Sequence, residues 1–403
     1  MHHNISHFFS KFIIVFALTS ALMACSSGPK ENQRQMQHNQ EEEANIPPVQ
    51  VAIIMPLSGP EESLGLQYAA MAKQGLTESA KTKLQIHIYD GASASALDES
   101  INKILDNGID IVIGPVYSEA TKIATAKLAH IGIPIISLSN NPALATPNTY
   151  VFGHAPMRQL ETMSNYLLSH GYKNYIILLP DGNYSRSVSQ VLEQNILSQG
   201  GNHIITEYYS PDQNSMKQAA YNAAAAVDHV NENPFEDKKP VIIIADDSRA
   251  LAHLLPHMQH YQLDKKAIIA GDGRLDLGGE LANIDIMFTG SENLLKVRVP
   301  LLASARADAI SATHPHNVNA MRSDIKHLSL MHILAYDAGK VVATAIGDKY
   351  NRKFFKKILS DTQYADTASS NMIYFVDNIA LRRYDILHKS NGNYIVYESI
   401  TSQ

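Results

Sequence analysis

The sequence predicts an α/β protein of two lobes, each a mostly parallel sheet flanked by helices. Three observations carry this reading. Strand-like apolar runs alternate with helix-period stretches from Val51 to Phe288. About 355 residues follow the N-terminal segment, more than one simple core holds. The stretch Ile109–Asn141 compresses strand, loop, helix, strand and loop into one unit. Within it, Ile109–Ile113 is a short, nearly continuous apolar run interrupted only by Asp110, as a strand buried on both faces requires. Gly114-Pro115 breaks the run, Ser118 is placed to cap a helix carrying Ile123, Ala124 and Leu128, and Gly132 ends that helix. Ile133–Leu138 is the second strand. A right-handed connection makes the strands parallel, so Val116-Tyr117-Ser118 and Ser139-Asn140-Asn141 share one sheet edge, where open α/β sheets present ligands.

In chain order, Met1–Ala24 reads as a targeting segment. Lys11 supplies a positive n-region, and Phe12–Ala24 is apolar but too short to span a bilayer. It ends Leu22-Met23-Ala24-Cys25, which resembles the lipobox of bacterial lipoproteins and implies lipidation of Cys25. The alternative is an ordinary secretory signal with a chance cysteine. Cys25 is the only cysteine in the chain, so no intrachain disulfide forms, which favours lipidation. By resemblance to enterobacterial sorting, Ser26 directs the anchor to the outer membrane, facing the periplasm. Ser26–Pro48 is polar, free of aromatic residues and closes with Ile46-Pro47-Pro48, a disordered tether. As a flexible coil it spans roughly 25–30 Å.

Val51–Met55 is the first strand, followed by a tight loop, Pro56–Pro60, and a helix with Leu64, Tyr68, Met71 and Ala72 on one stripe. Leu84, Ile86 and Ile88 alternate with polar residues, a strand with one less buried face. A helix with Ile101, Ile104 and Leu105 leads into the unit described above. After Thr149–Phe152 comes a helix with Leu160, Met163 and Leu167, closed by Gly171. The pattern then repeats: Tyr175–Leu179, a helix ending at Gly200-Gly201, His203–Tyr208, an alanine-rich helix Met216–Val230, a charged surface loop Asn231–Lys239, and Val241–Ala245. Ser248 caps a helix carrying Leu251, Leu254, Leu255 and Met258, and Ala267–Ala270 and Ile284–Phe288 are further strands. Ile325–Ile346 reads as one long helix. Ile373–Val376, Ala380–Leu387 and Tyr394–Tyr397 are strands, with Asn391-Gly392 a hairpin turn.

A formal charge of −6 without a basic stripe points away from nucleic acid. Enzyme signatures are weak. S-x-x-K starts at Ser27, Ser100 and Ser323 without a K-T-G, and neither G-x-S-x-G nor a phosphate loop is present. His253, His257 and His260 share a helix face that either holds a metal or is simply solvated, and His314-x-His316 reads the same way. The solvated reading is preferred, so no metal and no cofactor is assigned, and the protein is read as non-catalytic.

Val51–Pro60, Tyr89-Asp90, Gly108–Ser118, Ile133–Ser139 and Ala335–Ala338 together resemble the type I periplasmic binding proteins of the leucine-binding class. The resemblance implies three hinge crossings, here near Gly153, Gly290 and Thr362. Lobe 1 would then be 49–155 and 291–362, and lobe 2 would be 156–290 and 363–403. Met55–Gly59, Tyr150–Pro156, Leu179–Ser185 and Ile243–Pro256 are similar to the C-terminal domain of the penicillin-binding protein activators, non-enzymatic lipoproteins that stimulate a peptidoglycan synthase. The chain departs from enterobacterial members in having a short tether where they carry a helical-repeat domain. The alternative implied by the class is a receptor that hands an amino-acid-like ligand to an ABC permease. Cleft candidates are Ser58, Gly59, Tyr117, Ser118, Ser139, Asn140, Tyr184, Asp246 and Asp272. Hydroxyls and backbone amides would hold a carboxylate, and Asp246 or Asp272 an ammonium. Each has a bland counterpart: Ser118 a helix cap, Asp272 a turn former, Tyr184 a packing residue. Where such receptors commonly carry Ala-Thr, this chain has Asn140-Asn141-Pro142.

Overall fold

The computed structural model describes residues 47–154, 156–233, 237–246, 248–273, 285–291, 329–365, 367–390 and 393–399. The targeting segment, Cys25 and most of the tether lie outside the described residues, as do His314 and His316. Val49–Gln403 form one compact unit with its own hydrophobic cores.

The first sheet is built from β1 (Val49–Met55), β2 (Leu84–Asp90), β3 (Ile111–Ile113), β4 (Ile135–Ser137) and β5 (Thr149–Val151), all parallel where they pair. Between them run α1 (Glu62–Ser79), α2 (Ala94–Asp106) and α3 (Ser118–Leu128). The period-2 geometry of a strand divides β1 between two cores. Val51, Ile53 and Met55 face the core under α1, while Ala52 and Ile54 face the core under α2 and α3. β2 lies at the sheet edge, which is why its alternation is partly polar.

The second sheet repeats the plan. β6 (Asn174–Pro180), β7 (Asn202–Tyr209), β8 (Val241–Ile244), β9 (Ile268–Gly271) and β10 (Ile286–Gly290) pair in parallel. α4 (Pro156–Ser169) and α5 (Asn183–Ser198) cover one face; α6 (Gln213–Asn231), α7 (Ser248–His260) and the short α8 (Leu263–Lys266) cover the other. The chain then returns to the first lobe as α9 (Leu330–Ile346) and α10 (Arg352–Asp361), whose buried side chains join the core under α1.

The final strands correct the expected lobe boundary. β11 (Tyr364–Ala365), β12 (Met372–Val376) and β13 (Ile379–Arg383) belong to the first sheet, in the order β11-β12-β13-β5-β4-β3-β1-β2. Only β14 (Asp385–Ser390) and β15 (Asn393–Ser399) join the second, in the order β15-β14-β10-β9-β8-β6-β7. The last passage between sheets is therefore at Tyr384, not near Thr362. The run read as one strand, Ala380–Leu387, is two strands in different sheets. Apolar alternation marks a strand but not its partner. The pairing of Ile379 with Val151 beside the open edge of β5 decides the matter. The turn joining β12 to β13 is Asp377-Asn378, both with positive φ, a two-residue hairpin that the sequence reading passed over.

α1 and α9 lie backbone to backbone. A Cβ on Gly75 would meet the carbonyl oxygen of Tyr336 at 2.0 Å, and one on Gly339 that of Ala72 at 2.2 Å. Neither obstacle is a flexible side chain, so Gly339→Val is expected to lower stability by about 3 kcal/mol, read as a drop in urea midpoint. An unchanged midpoint would refute the close approach. At the start of α9, His332 is buried and held on both sides. Its Nδ1 accepts from the Ser329 amide at 3.0 Å, and its Nε2 lies 2.8 Å from Gln67 Oε1 on α1.

Candidate functional site

The edge formed by the C-terminal ends of β1, β3 and β4 gathers the first set of candidates. Ser118 and Ser139 meet there, hydroxyl to hydroxyl at 2.8 Å, because β3 and β4 are parallel and their following loops coincide. Ser118 is the first residue of α3 rather than its cap; the cap position is Tyr117, with no side-chain bond to the helix. Behind the pair, Thr121 Oγ1 donates to the Tyr117 carbonyl at 2.9 Å and lies 2.8 Å from Ser137 Oγ. The Ser139 amide donates to Ser137 Oγ at 3.1 Å, and the Asn141 amide to Ser139 Oγ at 3.3 Å. The polar loop residues thus hold one another in place. Asn140 stands exposed beside them.

Tyr117 is 43% exposed and its hydroxyl donates to the Glu61 carboxylate, tying the loop after β3 to the loop after β1. Partial burial and the Glu61 charge push this phenol well above its ordinary range. Ser58 and Gly59 are exposed on the β1 loop, and Gly59 has φ +74°, the left-handed region that glycine enters without strain. Asp90, at the end of β2, organises that loop, accepting from the Leu57 amide at 2.8 Å and the Ala92 amide at 2.9 Å. Burial alone would raise its carboxyl. Bonds from the Ser58 side chain and from the Ala92, Leu57 and Gly91 amides instead hold it below the usual range.

The second lobe contributes less than expected. Asp181, after β6, pairs with Arg186 at 2.6 Å, and that guanidinium lies 4.8 Å from the centre of the Tyr208 ring. Tyr184 sits on the first turn of α5, and its side chain is outside the described residues. Asp246, half-buried after β8, accepts from the Tyr209 hydroxyl at 2.9 Å. Asp272 is fully buried and lies by Tyr384, at the connection between the lobes. Of the helix histidines, His257 lies 2.8 Å from Gln213 Oε1, and His260 packs edge-on to Tyr261.

That connection carries a buried polar network absent from the sequence reading. Arg382, on β13, donates to the carbonyls of Phe152 and Gly153, at 2.5 and 3.0 Å, and to Ser369 Oγ at 3.4 Å. Its guanidinium lies over the Phe152 ring. Asp337, on α9, accepts from the Ala368 and Ser369 amides at 2.6 and 2.7 Å. The two charges attract one another. Burial still presses each toward its neutral form, raising Asp337 and lowering Arg382. Tyr384 faces Arg382, Asp272 and Gln159. On the far side Asn371 donates to Asp385 and accepts from Ser291, bridging the first sheet to the second. The local signal for it is Arg382-Arg383, two adjacent arginines inside the run Ala380–Leu387.

Comparison with known proteins agrees with this architecture. The family model described as periplasmic binding protein matches residues 48–274. An uncharacterized protein of Rickettsia prowazekii (strain Madrid E) is 34% identical over 389 residues, 96% of this chain and 98% of that protein. The penicillin-binding protein activator LpoA of Haemophilus influenzae is 21% identical over 164 residues, 40% of this chain but only 28% of its own length. Among solved structures, a branched-chain amino acid ABC transporter periplasmic ligand-binding protein of Burkholderia xenovorans superposes with a TM-score of 0.65 at 12% identity, covering 87% of this chain and 95% of that one. An identity that low shows the fold alone. The two mostly parallel sheets with flanking helices are the type I periplasmic-binding architecture, and the chain belongs to the periplasmic binding protein family.

Proposed function

We propose that this is a non-catalytic, lipid-anchored protein that faces the periplasm from the outer membrane and regulates peptidoglycan synthesis by binding a penicillin-binding protein. The observation that carries the reading is how the cleft candidates spend their polar groups. Tyr117 pairs with Glu61 and Asp246 with Tyr209, and Asp272 is buried. A receptor for a free amino acid keeps such groups for the ligand's carboxylate and ammonium. Partial similarity to the activator LpoA supports the same direction. In this reading the lobes present surfaces, and hinge motion about the passages between the sheets sets their relation.

A second reading, a receptor for an amino-acid-like ligand that serves an ABC permease, is favoured by one observation. The Ser118–Ser139 hydroxyl pair lies on the strand-end edge where ligands bind in such sheets. Titration calorimetry against an amino-acid panel, alongside pull-down of a purified peptidoglycan synthase, separates the two. The expected result is retention of the synthase and no heat of binding. Micromolar binding that Ser118→Ala weakens, with no synthase retained, installs the receptor instead.

A further inference from the structure

α10 has a face that the first lobe does not use. Its sequence is RKFFKKILSD. Phe355 and Leu359 are buried in the core, while Phe354 and Ile358, one turn apart, are 60% and 41% exposed. Lys353 and Lys357, also one turn apart, flank them on the same exposed arc. Arg352 pairs with Asp110 at 3.5 Å, but no acidic side chain among the described residues pairs with Lys353 or Lys357. Lys356 bonds to Asn148, and burial, with the neighbouring Arg352 charge, presses its ammonium down. The helix is thus basic within a chain whose net charge is −6.

The position of this helix matters as much as its composition. Asp110, the partner of Arg352, also accepts from the Gln50 amide at 3.0 Å, and its own amide donates to the Gln50 carbonyl at 2.8 Å. Gln50 is the second residue of β1, so the segment preceding Pro47 joins the described chain beside the N-terminus of α10. The 22 residues from Cys25 to Ile46 extend at most to roughly 75 Å, at about 3.4 Å per residue. Any surface that holds the N-terminal segment is therefore within reach of this helix.

We propose that the exposed face of α10 seats the first lobe on the anionic surface of a phospholipid bilayer. Phe354 and Ile358 enter the boundary between headgroups and acyl chains, and Lys353 and Lys357 extend to the phosphates. An acidic protein would satisfy the lysines too. The adjacent entry of the tether, together with apolar residues beside the cations, favours the membrane. The inference deepens the lipid-anchored reading above and rests on it for the source of the membrane.

Sedimentation with vesicles tests it, using residues 49–403, the compact unit with its own cores. Retention is expected on vesicles of phosphatidylglycerol and phosphatidylcholine in equal parts, and not on phosphatidylcholine alone or in high salt. Lys353→Gln and Lys357→Gln should each weaken binding about fivefold. Phe354→Ser should weaken it further with the circular dichroism spectrum unchanged. Equal retention on both kinds of vesicle, or indifference to these substitutions, overturns the proposal. So does a dimer that Phe354→Ser abolishes, or an acidic protein that competes the vesicles off. The vesicle experiment contains no Cys25, so it fails or succeeds independently of the anchor. In cells, Phe354→Ser in the full chain should stay in the membrane fraction and Cys25→Ser combined with Phe354→Ser should leave it, a pair that separates the anchor from the seat. Release of the double variant without vesicle binding removes the seat and keeps the anchor; vesicle binding with release of Phe354→Ser alone does the reverse.

Discussion

Arg382→Ala is expected to destabilise the protein by about 3 kcal/mol, the cost of leaving two buried carbonyls without donors and a nearby buried carboxylate without a cation. Arg382 and Asp337 are both buried, so the substitution leaves the Asp337 carboxylate with its Ala368 and Ser369 amides but without its counter-charge. It also strips donors from the Phe152 and Gly153 carbonyls, at the passage from β5 to α4. Arg382→Lys should recover little, because one ammonium on a flexible stem does not reproduce the planar fork spanning those carbonyls. The measurement is the urea unfolding midpoint with the slope monitored. A loss below about 1 kcal/mol for Arg382→Ala would show that the guanidinium site is solvated in solution.

The second large effect is in pH. Burial lowers the His332 imidazolium from an ordinary value of 6.5 to about 4. Its Nδ1 accepts from the Ser329 amide, so the neutral ring carries its proton on Nε2 and donates to Gln67. Between those two values the unfolded chain binds a proton that the folded chain refuses. The sign follows: the contribution is whole above about pH 6.5 and is lost as the pH falls toward 4, about 3 kcal/mol across the window. Unfolding free energies of wild type and His332→Gln, measured from pH 7 to 4, should diverge in slope by up to one proton. Parallel curves would mean that the ring charges within the fold.

Much of the architecture was legible because parallel strands buried on both faces advertise themselves. Ile111–Ile113 and Val241–Ala245 are apolar on both faces, and the helices between them carry apolar stripes. The juxtaposition of Ser118 with Ser139 was legible as well, since chirality alone puts two successive strand ends on one edge. Illegible were the relations set by distant chain. Nothing local in Ile379–Arg383 says that it pairs with Val151 rather than with the second sheet. Asp272 between glycines reads as a turn residue or a ligand group, and only packing around Tyr384 takes it inside. The role of Ser118 also turned on a partner rather than on its helix, whose cap position falls one residue earlier.

The path of the last strands sets an order on assembly. A chain made from its N-terminus has β5 at an open sheet margin until β13 arrives, and β10 at another until β14 does. The floor under α1 is likewise unfinished until α9 is present, with Gln67 waiting for His332 across 265 positions. Most contacts that complete either lobe are therefore of long sequence separation, the kind that slows folding and prolongs exposure of apolar surface. Both lobes are sealed almost together by one short terminal segment. A nascent chain stopped before Tyr384 would leave the second sheet without its antiparallel cover, and one stopped before α9 would leave both sheets incomplete. Such truncated chains are expected to be cleared by proteases rather than to persist as single working lobes.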